Sequence, residues 1–213
     1  MKITKIGHSC LLIEERSARI LTDPGGYSAG QNAVGNLDIL LITQEHGDHC
    51  DVDSIKGILK NNPGAKVFTN RGAGKLLEAK KIAYDLLEDG QSITLKGVLI
   101  EAFGKKHAEI YKTVPPVDNT GYLIARRLYH PGDALYNPGV KVEILALPVA
   151  GPWIKISEAI DYAKELQPKI CFPIHDGMLK EGRAASAHVL PPKVLEPLGI
   201  KFVVLEEGKT MDF

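Results

Sequence analysis

The sequence lacks any apolar run long enough to span a membrane, and it contains only three cysteines. A transmembrane helix needs about 20 consecutive apolar residues, and the N-terminal segment has neither a long apolar core nor a small-residue cleavage site. We therefore expect no membrane partner. Because three widely spaced cysteines do not make a disulfide framework, we expect a reducing, cytoplasmic location.

An excess of charge of either sign is also absent, since 26 Lys and Arg residues balance 26 Asp and Glu residues. Proteins dedicated to nucleic acid usually carry a basic surface, so this balance argues against a nucleic-acid partner. With 213 residues the chain is long enough to bury a substantial core, and we expect one domain over residues 1–213.

Short apolar runs typical of strands recur along the whole chain, with amphipathic helical segments between them. The predicted strands cover residues 2–6, 10–13, 19–21, 37–42, 66–69, 92–95, 98–103, 122–125, 143–147, 170–174 and 201–205. The predicted helices run from Asp51 or Asp53 to Lys60, over 72–80 and 156–166, and in a proline-interrupted segment within 189–198. This mixture predicts an α/β chain in which sheets pack on each other with helices outside.

The segment most informative about chemistry directly follows the apolar run 37–42. It reads Thr43-Gln44-Glu45-His46-Gly47-Asp48-His49-Cys50-Asp51. A buried strand that enters a tight loop can aim several side chains at one point, and Gly47 allows the backbone to turn closely. Imidazole nitrogens and carboxylate oxygens are ligands that suit Zn²⁺, Mn²⁺ or Fe²⁺. The segment therefore predicts a metal site.

This segment resembles the metallo-β-lactamase signature Thr-His-x-His-x-Asp-His-x-Asp, with Gln44 in place of the first histidine. Three later residues, His107, Asp133 after a glycine, and His175 at a strand end, resemble the later metal-binding residues of that superfamily. Upstream, Gly7-His8-Ser9 and Leu21-Thr22-Asp23-Pro24 resemble one branch, the small metal-dependent hydrolases that include ascorbate-6-phosphate lactonase-like proteins.

The resemblance implies a four-layer αββα sandwich with the metal site at one edge, between the sheets. One metal would be bound by Gln44, His46 and His107, and the other by Asp48, His49 and His175. Asp133 would bridge the two metals. His8 and Asp23 would lie next to the ligands or in the wall of the cleft and would orient the ligands.

Gln44 leaves the number of metals open, because an amide oxygen is a weaker zinc ligand than imidazole. The chain could hold one metal at Asp48, His49, Asp133 and His175, or two, with Gln44 or water completing the first site. It could also be a degenerate relative that does not catalyse a reaction. Zinc is the expected metal, with manganese and iron as alternatives.

The activity that the resemblance implies is hydrolysis of a small ester, lactone or phosphodiester by a metal-bound hydroxide, with Asp48 orienting the water. The alternatives are a non-catalytic metal-binding protein and a nuclease of the same superfamily. The partner is then a small-molecule substrate, and formation of a homo-oligomer is left open. Loops within 25–35, 109–119 and 176–188 are expected to set specificity.

Several other residues are expected to lie outside the ligand set. His130 is expected to pack beside the site, and His188 is expected at the surface. Cys10, Cys50 and Cys171 are expected to be small buried residues.

Overall fold

The computed structural model describes residues 1–180, 182 and 185–213, and it places fourteen strands in two seven-stranded sheets. The strands are β1 (Lys2–Gly7), β2 (Cys10–Glu15), β3 (Ala18–Thr22), β4 (Ile39–Leu41), β5 (Lys66–Thr69), β6 (Asp85–Leu86), β7 (Ser92–Leu95), β8 (Val98–Phe103), β9 (Gly121–Ile124), β10 (Leu128–His130), β11 (Ile144–Pro148), β12 (Ile170–Ile174), β13 (Lys201–Phe202) and β14 (Thr210–Asp212). The α-helices are α1 (Val52–Asn61), α2 (Arg71–Ala79), α3 (Ile156–Leu166), α4 (Ala185–His188) and α5 (Leu190–Leu195), and 3-10 turns cover Gln31–Ala33 and Glu196–Leu198.

The two sheets have related strand orders. The first runs β14-β1-β2-β3-β4-β5-β6 and the second runs β13-β12-β11-β10-β9-β8-β7. In each sheet an antiparallel meander continues into parallel strands, which begin at the β3–β4 pair and at the β10–β11 pair. Helices connect several of the parallel strands, as parallel pairing requires.

Three apolar clusters define the layers. The largest lies between the sheets and joins side chains such as Ile13 and Leu41 of the first sheet to Ile100 and Phe172 of the second. A second cluster packs α3 and α5 on the outer face of the second sheet. A third packs α1 and α2 on the outer face of the first sheet. The predicted four-layer αββα sandwich is confirmed.

Local sequence explains where the helices begin. The Asp51 side chain caps α1 by accepting a hydrogen bond from Asp53 N–H, which decides between the two predicted capping residues. The Asn70 side chain caps α2 in the same way, through Ala73 N–H. No helix among the described residues is long and apolar enough to cross a membrane.

The differences from the predicted elements concern short strands and the four-residue helix α4, which the sequence did not predict. The sequence did not predict β6, β10 and β14, which have two or three residues each. The predicted strand 201–205 ends at Phe202. Two or three residues are too few to display a period of two, so only pairing with a neighbouring strand reveals such elements.

The fold brings the chemistry-bearing loops to one edge. β1, β3 and β4 run in the same direction, as do β8, β10 and β12 in the other sheet. Their carboxyl ends are followed respectively by His8, Asp23, the segment 43–51, His107, Asp133 and His175. Loops at carboxyl ends of parallel strands are a usual place for a binding site.

Candidate metal centre

The side chains at this edge form two adjacent groups of potential ligand atoms. His46, His107 and Asp133 offer atoms that all lie within 4.8 Å of one another. The same limit holds for a second group, which is His8, Asp48, His49 and His175. Each group contains residues from both sheets. Apart from His8 and Gln44, this division matches the two predicted metal sites.

Asp133 lies at the junction of the two groups. Its Oδ2 lies 3.2 Å from His107 Nε2 and 2.9 Å from His175 Nε2, while its Oδ1 lies 3.1 Å from His49 Nε2. One carboxylate thus contacts histidines from both groups, which is the position that a bridging ligand needs. Burial raises the pKa of Asp133, but the surrounding histidines outweigh burial and hold the pKa well below its ordinary value.

Asn119 and Gly132 explain how Asp133 reaches this position. The Asn119 side chain accepts a hydrogen bond from Asp133 N–H at 2.9 Å and donates one to the Pro131 carbonyl at 2.9 Å. Gly132 has φ +63°, and a Cβ there would lie 2.3 Å from Asn119 Oδ1. Only glycine combines this conformation with this close approach.

The hydrogen bonds of two histidines leave one ring nitrogen of each free to bind a metal. His49 Nδ1 donates to Asp23 Oδ2 at 2.8 Å, and His107 Nδ1 donates to the Ala108 carbonyl at 2.6 Å. When such a ring is neutral it carries one proton, so its Nε2 then has a lone pair. Asp23 is itself held by Thr43 N–H at 2.8 Å and Thr43 Oγ1 at 2.7 Å. The hydrogen bond between Asp23 and His49 is compatible with the prediction that Asp23 orients a ligand.

His8 lies closer to the ligand atoms than the sequence predicted. Its Nε2 is 3.3 Å from Asp48 Oδ2, and its Nδ1 accepts a hydrogen bond from Gly177 N–H at 3.2 Å. Because Nδ1 is an acceptor, the neutral ring carries its proton on Nε2 and donates it to Asp48. The hydrogen bonding therefore favours His8 as a residue that orients Asp48, although distance alone groups it with the ligands.

Asp48 is the carboxylate of the centre that retains contact with solvent, with 19% of its side chain exposed. Its Oδ2 is 3.4 Å from His175 Nε2 in addition to its contact with His8. Burial raises the pKa of Asp48, but the close contacts with His175 and His8 outweigh burial, so the pKa lies well below its ordinary value. Asp48 is therefore ionised at neutral pH.

Several buried polar atoms of the centre have no hydrogen-bond partner among the described residues. They are both amide atoms of Gln44, His49 Nε2, Asp133 Oδ1 and both ring nitrogens of His175. Burying a polar atom without a partner costs about 1–3 kcal/mol, and native structures contain few such atoms. Nitrogen and carboxylate oxygen atoms gathered in this way are the ligand set of a divalent transition metal. The residues present therefore fit the metal that the sequence predicts.

Three residues of the site have left-handed backbone conformations, which are uncommon for residues other than glycine. These are His8 with φ 49°, Asp23 with φ 41° and His175 with φ 59°. Such conformations cost free energy and persist where the surrounding structure enforces them, which is a feature of functional sites. All three directly follow the end of a strand.

A family model described as a beta-lactamase superfamily domain matches residues 2–175 of the chain. The chain belongs to the metallo-β-lactamase superfamily. The Mycobacterium tuberculosis protein Rv0786c is 38% identical over 185 residues, which cover 84% of this chain and 85% of the relative. A UPF0173 metal-dependent hydrolase of Thermoplasma acidophilum is 24% identical over 192 residues, covering 82% and 83%. A solved Parabacteroides distasonis structure described as a metal-dependent hydrolase has a TM-score of 0.79 and 27% identity, covering 97% and 93%.

Like the Thermoplasma acidophilum and Parabacteroides distasonis proteins, this metallo-β-lactamase-superfamily chain is a metal-dependent hydrolase. The structure brings together the histidines and aspartates that the sequence predicted for its metal centre. The side-chain amide of Gln44 has no hydrogen-bond partner among the described residues. Gln44 is itself fully buried and forms an isolated backbone bridge with Asn119.

The residues expected outside the ligand set lie outside it. His130 is buried, donates from Nε2 to the Ser9 carbonyl and accepts from Gly132 N–H, so both its nitrogens are engaged. His188 is partly exposed and contacts Asp176 at 2.8 Å. The three cysteines are buried and free.

A Gly-x-Ser-x-Gly stretch at 26–30 resembles the motif that presents a nucleophilic serine in other hydrolases. It does not form that turn here, because it lies in the loop after β3 and Ser28 Oγ donates to the Gly25 carbonyl at 2.9 Å. Ser28 is therefore a loop-stabilising residue.

Trp153 is a residue of the centre that the sequence did not predict. Its ring lies edge-on to His107 and to His175, with centroid distances of 5.6 and 5.7 Å. It therefore packs beside both groups of ligands. A lone tryptophan in a loop has no spacing pattern in the sequence. Its place in the centre is evident only in the structure, where the loop after β11 packs against the residues that follow β8 and β12.

Proposed function

We propose that this hydrolase binds zinc through His46, His107, Asp48, His49, His175 and the bridging Asp133, and that it cleaves a small ester, lactone or phosphodiester. The observation that carries this proposal is the set of buried nitrogen and oxygen atoms that converge without hydrogen-bond partners. When bound, a divalent metal supplies Lewis acidity and activates water at neutral pH.

The chain's own residues have distinct tasks in this reaction. The ionised and partly exposed Asp48 accepts the proton of the attacking water and returns it to the leaving group. His8 keeps the Asp48 carboxylate oriented through the Nε2 contact. Asp23 holds His49 in the tautomer that leaves Nε2 available, and Ala108 does the same for His107.

Gln44 bears on the number of metals. Its fully buried amide has no hydrogen-bond partner among the described residues, which supports a role for its oxygen as a weak ligand of the first group. We propose that the second group, with its intact Asp48, His49, Asp133 and His175, binds zinc more tightly. The buried free cysteines also support a reducing cytoplasmic location.

The test is a measurement of bound metal by mass spectrometry in protein purified without chelators, beside a Gln44→His variant. We expect the native protein to retain about one zinc ion and the variant to retain close to two, because imidazole is the stronger ligand. Two metals in both proteins would instead assign Gln44 or water as a full ligand. Absence of metal in both would contradict the proposed site, and a protein with metal but without activity on esters, lactones and phosphodiesters would be the non-catalytic alternative.

A further inference from the structure

Residues 108–117, called here the apolar loop, leave the second sheet after β8 and return to it before β9. At the base of this loop, His107 N–H donates to the Val117 carbonyl at 3.0 Å, and Lys106 forms an isolated bridge with Asp118. A compact loop with its ends held together in this way often has a function of its own. Here its base is anchored at His107, a residue of the metal centre.

The apolar loop exposes several large hydrophobic side chains close together. Ile110 is 37% exposed, Tyr111 63% and Val114 48%. Grouped apolar side chains in water mark a binding surface more often than scattered ones do. Pro115 and Pro116 follow directly and restrict the backbone, so binding orders the loop at a small cost in entropy.

A cavity of about 60 Å³ lies between this loop and the metal centre. His46 and His107 form one wall, and the opposite wall is formed by Ile110, Val114 and the residues from Pro115 to Val117. The cavity has several times the volume that one water molecule needs, and its loop side offers apolar side chains. It is therefore continuous with the site and suited to a small apolar group.

The basic side chains near this edge do not form an anion-binding site. Lys106 contacts Asp118 at 2.8 Å, Lys105 contacts Asp89 at 3.6 Å, and Arg71 contacts Glu88 at 3.3 Å. Within the apolar loop, the exposed Lys112 is balanced by the exposed Glu109. A phosphate group here would meet a carboxylate beside each cation, and this repulsion disfavours an anionic substrate.

We propose that the substrate carries an uncharged apolar group, such as a short alkyl chain or a small ring, which binds between His46, His107 and the apolar loop. The reacting carbonyl then lies at the metal centre. The substrate class is thus neutral apolar esters or lactones and not phosphorylated sugars. This inference rests on the proposed function, because it assumes that hydrolysis takes place at the metal centre.

The test uses zinc-loaded protein and straight-chain alkyl hydroxamic acids with two to eight carbons, whose common head group binds zinc. Trp153 is the only tryptophan in the chain and lies against His107, so its fluorescence reports binding without any turnover. We expect the Kd to fall about threefold per added methylene, close to the value for burying a CH₂ group, until the cavity is filled.

Val114→Asp tests the wall directly, because it places a charge beside the apolar tail. We expect this variant to bind the six-carbon compound about tenfold more weakly, with unchanged binding of the two-carbon compound. Val140→Asp is the matched control, since Val140 is 47% exposed and lies in the loop before β11. Val114→Thr, which keeps the side-chain shape, should show a smaller loss in the same direction.

The possible failures are distinguishable. If the two-carbon compound binds but chain length has no effect, or if an equally long tail ending in phosphate binds more tightly, the inference is wrong and the proposed function stands. Equal losses in Val114→Asp and Val140→Asp would also overturn it. If zinc-loaded protein binds none of the compounds, the proposed function fails and this inference fails with it.

Discussion

The two halves of the metal centre differ in how firmly their side chains are held. In the half formed by Asp48, His49 and His175, His49 is held by Asp23, and Asp48 is held by His8. His49 and His175 are almost fully buried.

The half formed by His46 and His107 is less supported. The His107 ring donates to the carbonyl of its neighbour Ala108 and contacts Asp133. His46 is half-buried beside the apolar loop. The neighbouring Gln44 replaces an imidazole with an amide. Loss of a residue that orients a ligand typically weakens metal affinity by about 10- to 100-fold. From this comparison we expect the half with Asp48, His49 and His175 to bind a metal more tightly, and the half with His46 and His107 to be more open to substrate.

We expect the largest effect from a change at Asp133, because this residue belongs to both halves of the centre. Asp133→Ala should abolish retention of metal and lower kcat/KM about a thousandfold, because the ion is worth several kcal/mol in the transition state. Metal content by mass spectrometry and the hydrolysis rate check this. Asp118→Ala changes a partly exposed carboxylate near the same edge, so it is the control and should retain its metal. A variant at Asp133 with full metal content would show that the two halves do not share this ligand.

Because Asp23 orients His49, Asp23→Ala should weaken the half of the centre that contains His49 more than the other half, with a smaller effect than Asp133→Ala. Loss of the carboxylate that orients His49 should weaken zinc binding by about 10- to 100-fold, the usual effect of such a residue. Competition with a fluorescent zinc chelator measures the affinity. Thr43→Val, which removes only one of the hydrogen bonds to Asp23, should lie between the variant and the native protein. If Asp23→Ala weakened only the metal bound by His46 and His107, the ranking of the two halves would be wrong.

The pH dependence of metal binding sharpens the comparison further. Burial lowers the pKa of His175, but the contacts with Asp133 and Asp48 outweigh burial and raise it to about 9 in metal-free protein. A metal must displace this proton, so affinity should rise by up to about tenfold per pH unit between pH 7 and 9. Calorimetry in buffers of different ionisation enthalpy counts the released protons. Binding without proton release would contradict a protonated His175.

The raised pKa of His175 also affects the stability of metal-free protein, and here a higher pH lowers the free energy of unfolding. Because the folded pKa of His175 lies above its ordinary value of 6.5, the proton stabilises the fold below pH 6.5. This contribution is lost as the pH rises to about 9. In chelator-treated protein we therefore expect the free energy of unfolding to decrease between pH 6.5 and 9, as measured by urea denaturation. An increase over this range would show that another group dominates.

The smallest effect concerns Gln44 in metal-free protein. Gln44→Leu removes two buried polar atoms that lack partners, so it should stabilise the metal-free fold by about 1 kcal/mol. Gln31 is the matched control, because its buried amide donates to the Gly25 carbonyl and to Ser54 Oγ. Gln31→Leu should therefore destabilise the fold. A destabilised Gln44→Leu protein would show that the amide has partners in solution.

Most of the residues predicted for the centre, which the structure brings close together, lie in one short segment or shortly after a strand. The segment 43–51 supplied Asp48 and His49 by resemblance, and the Gly-Asp pair supplied Asp133 in the same way. His175 followed the apolar run 170–174, which β12 confirms. The tautomer of His8 was not predictable, because it depends on a hydrogen bond from Gly177, 169 positions later in the chain. Trp153 and Asn119 were missed for the same reason, since their roles arise only from contacts between distant loops.

Each half of the centre draws its residues from both sheets, and this has a consequence for the mechanics of the fold. His46 follows the first sheet while His107 and Asp133 follow the second, and Asp48 and His49 face His175 in the same way. An ion bound by these residues would link the two sheets to each other at this edge. Its binding free energy then adds to the docking of the sheets. Removing it should loosen this edge first, with amide exchange rising at the ends of β4 and β12 before the rest of the core responds.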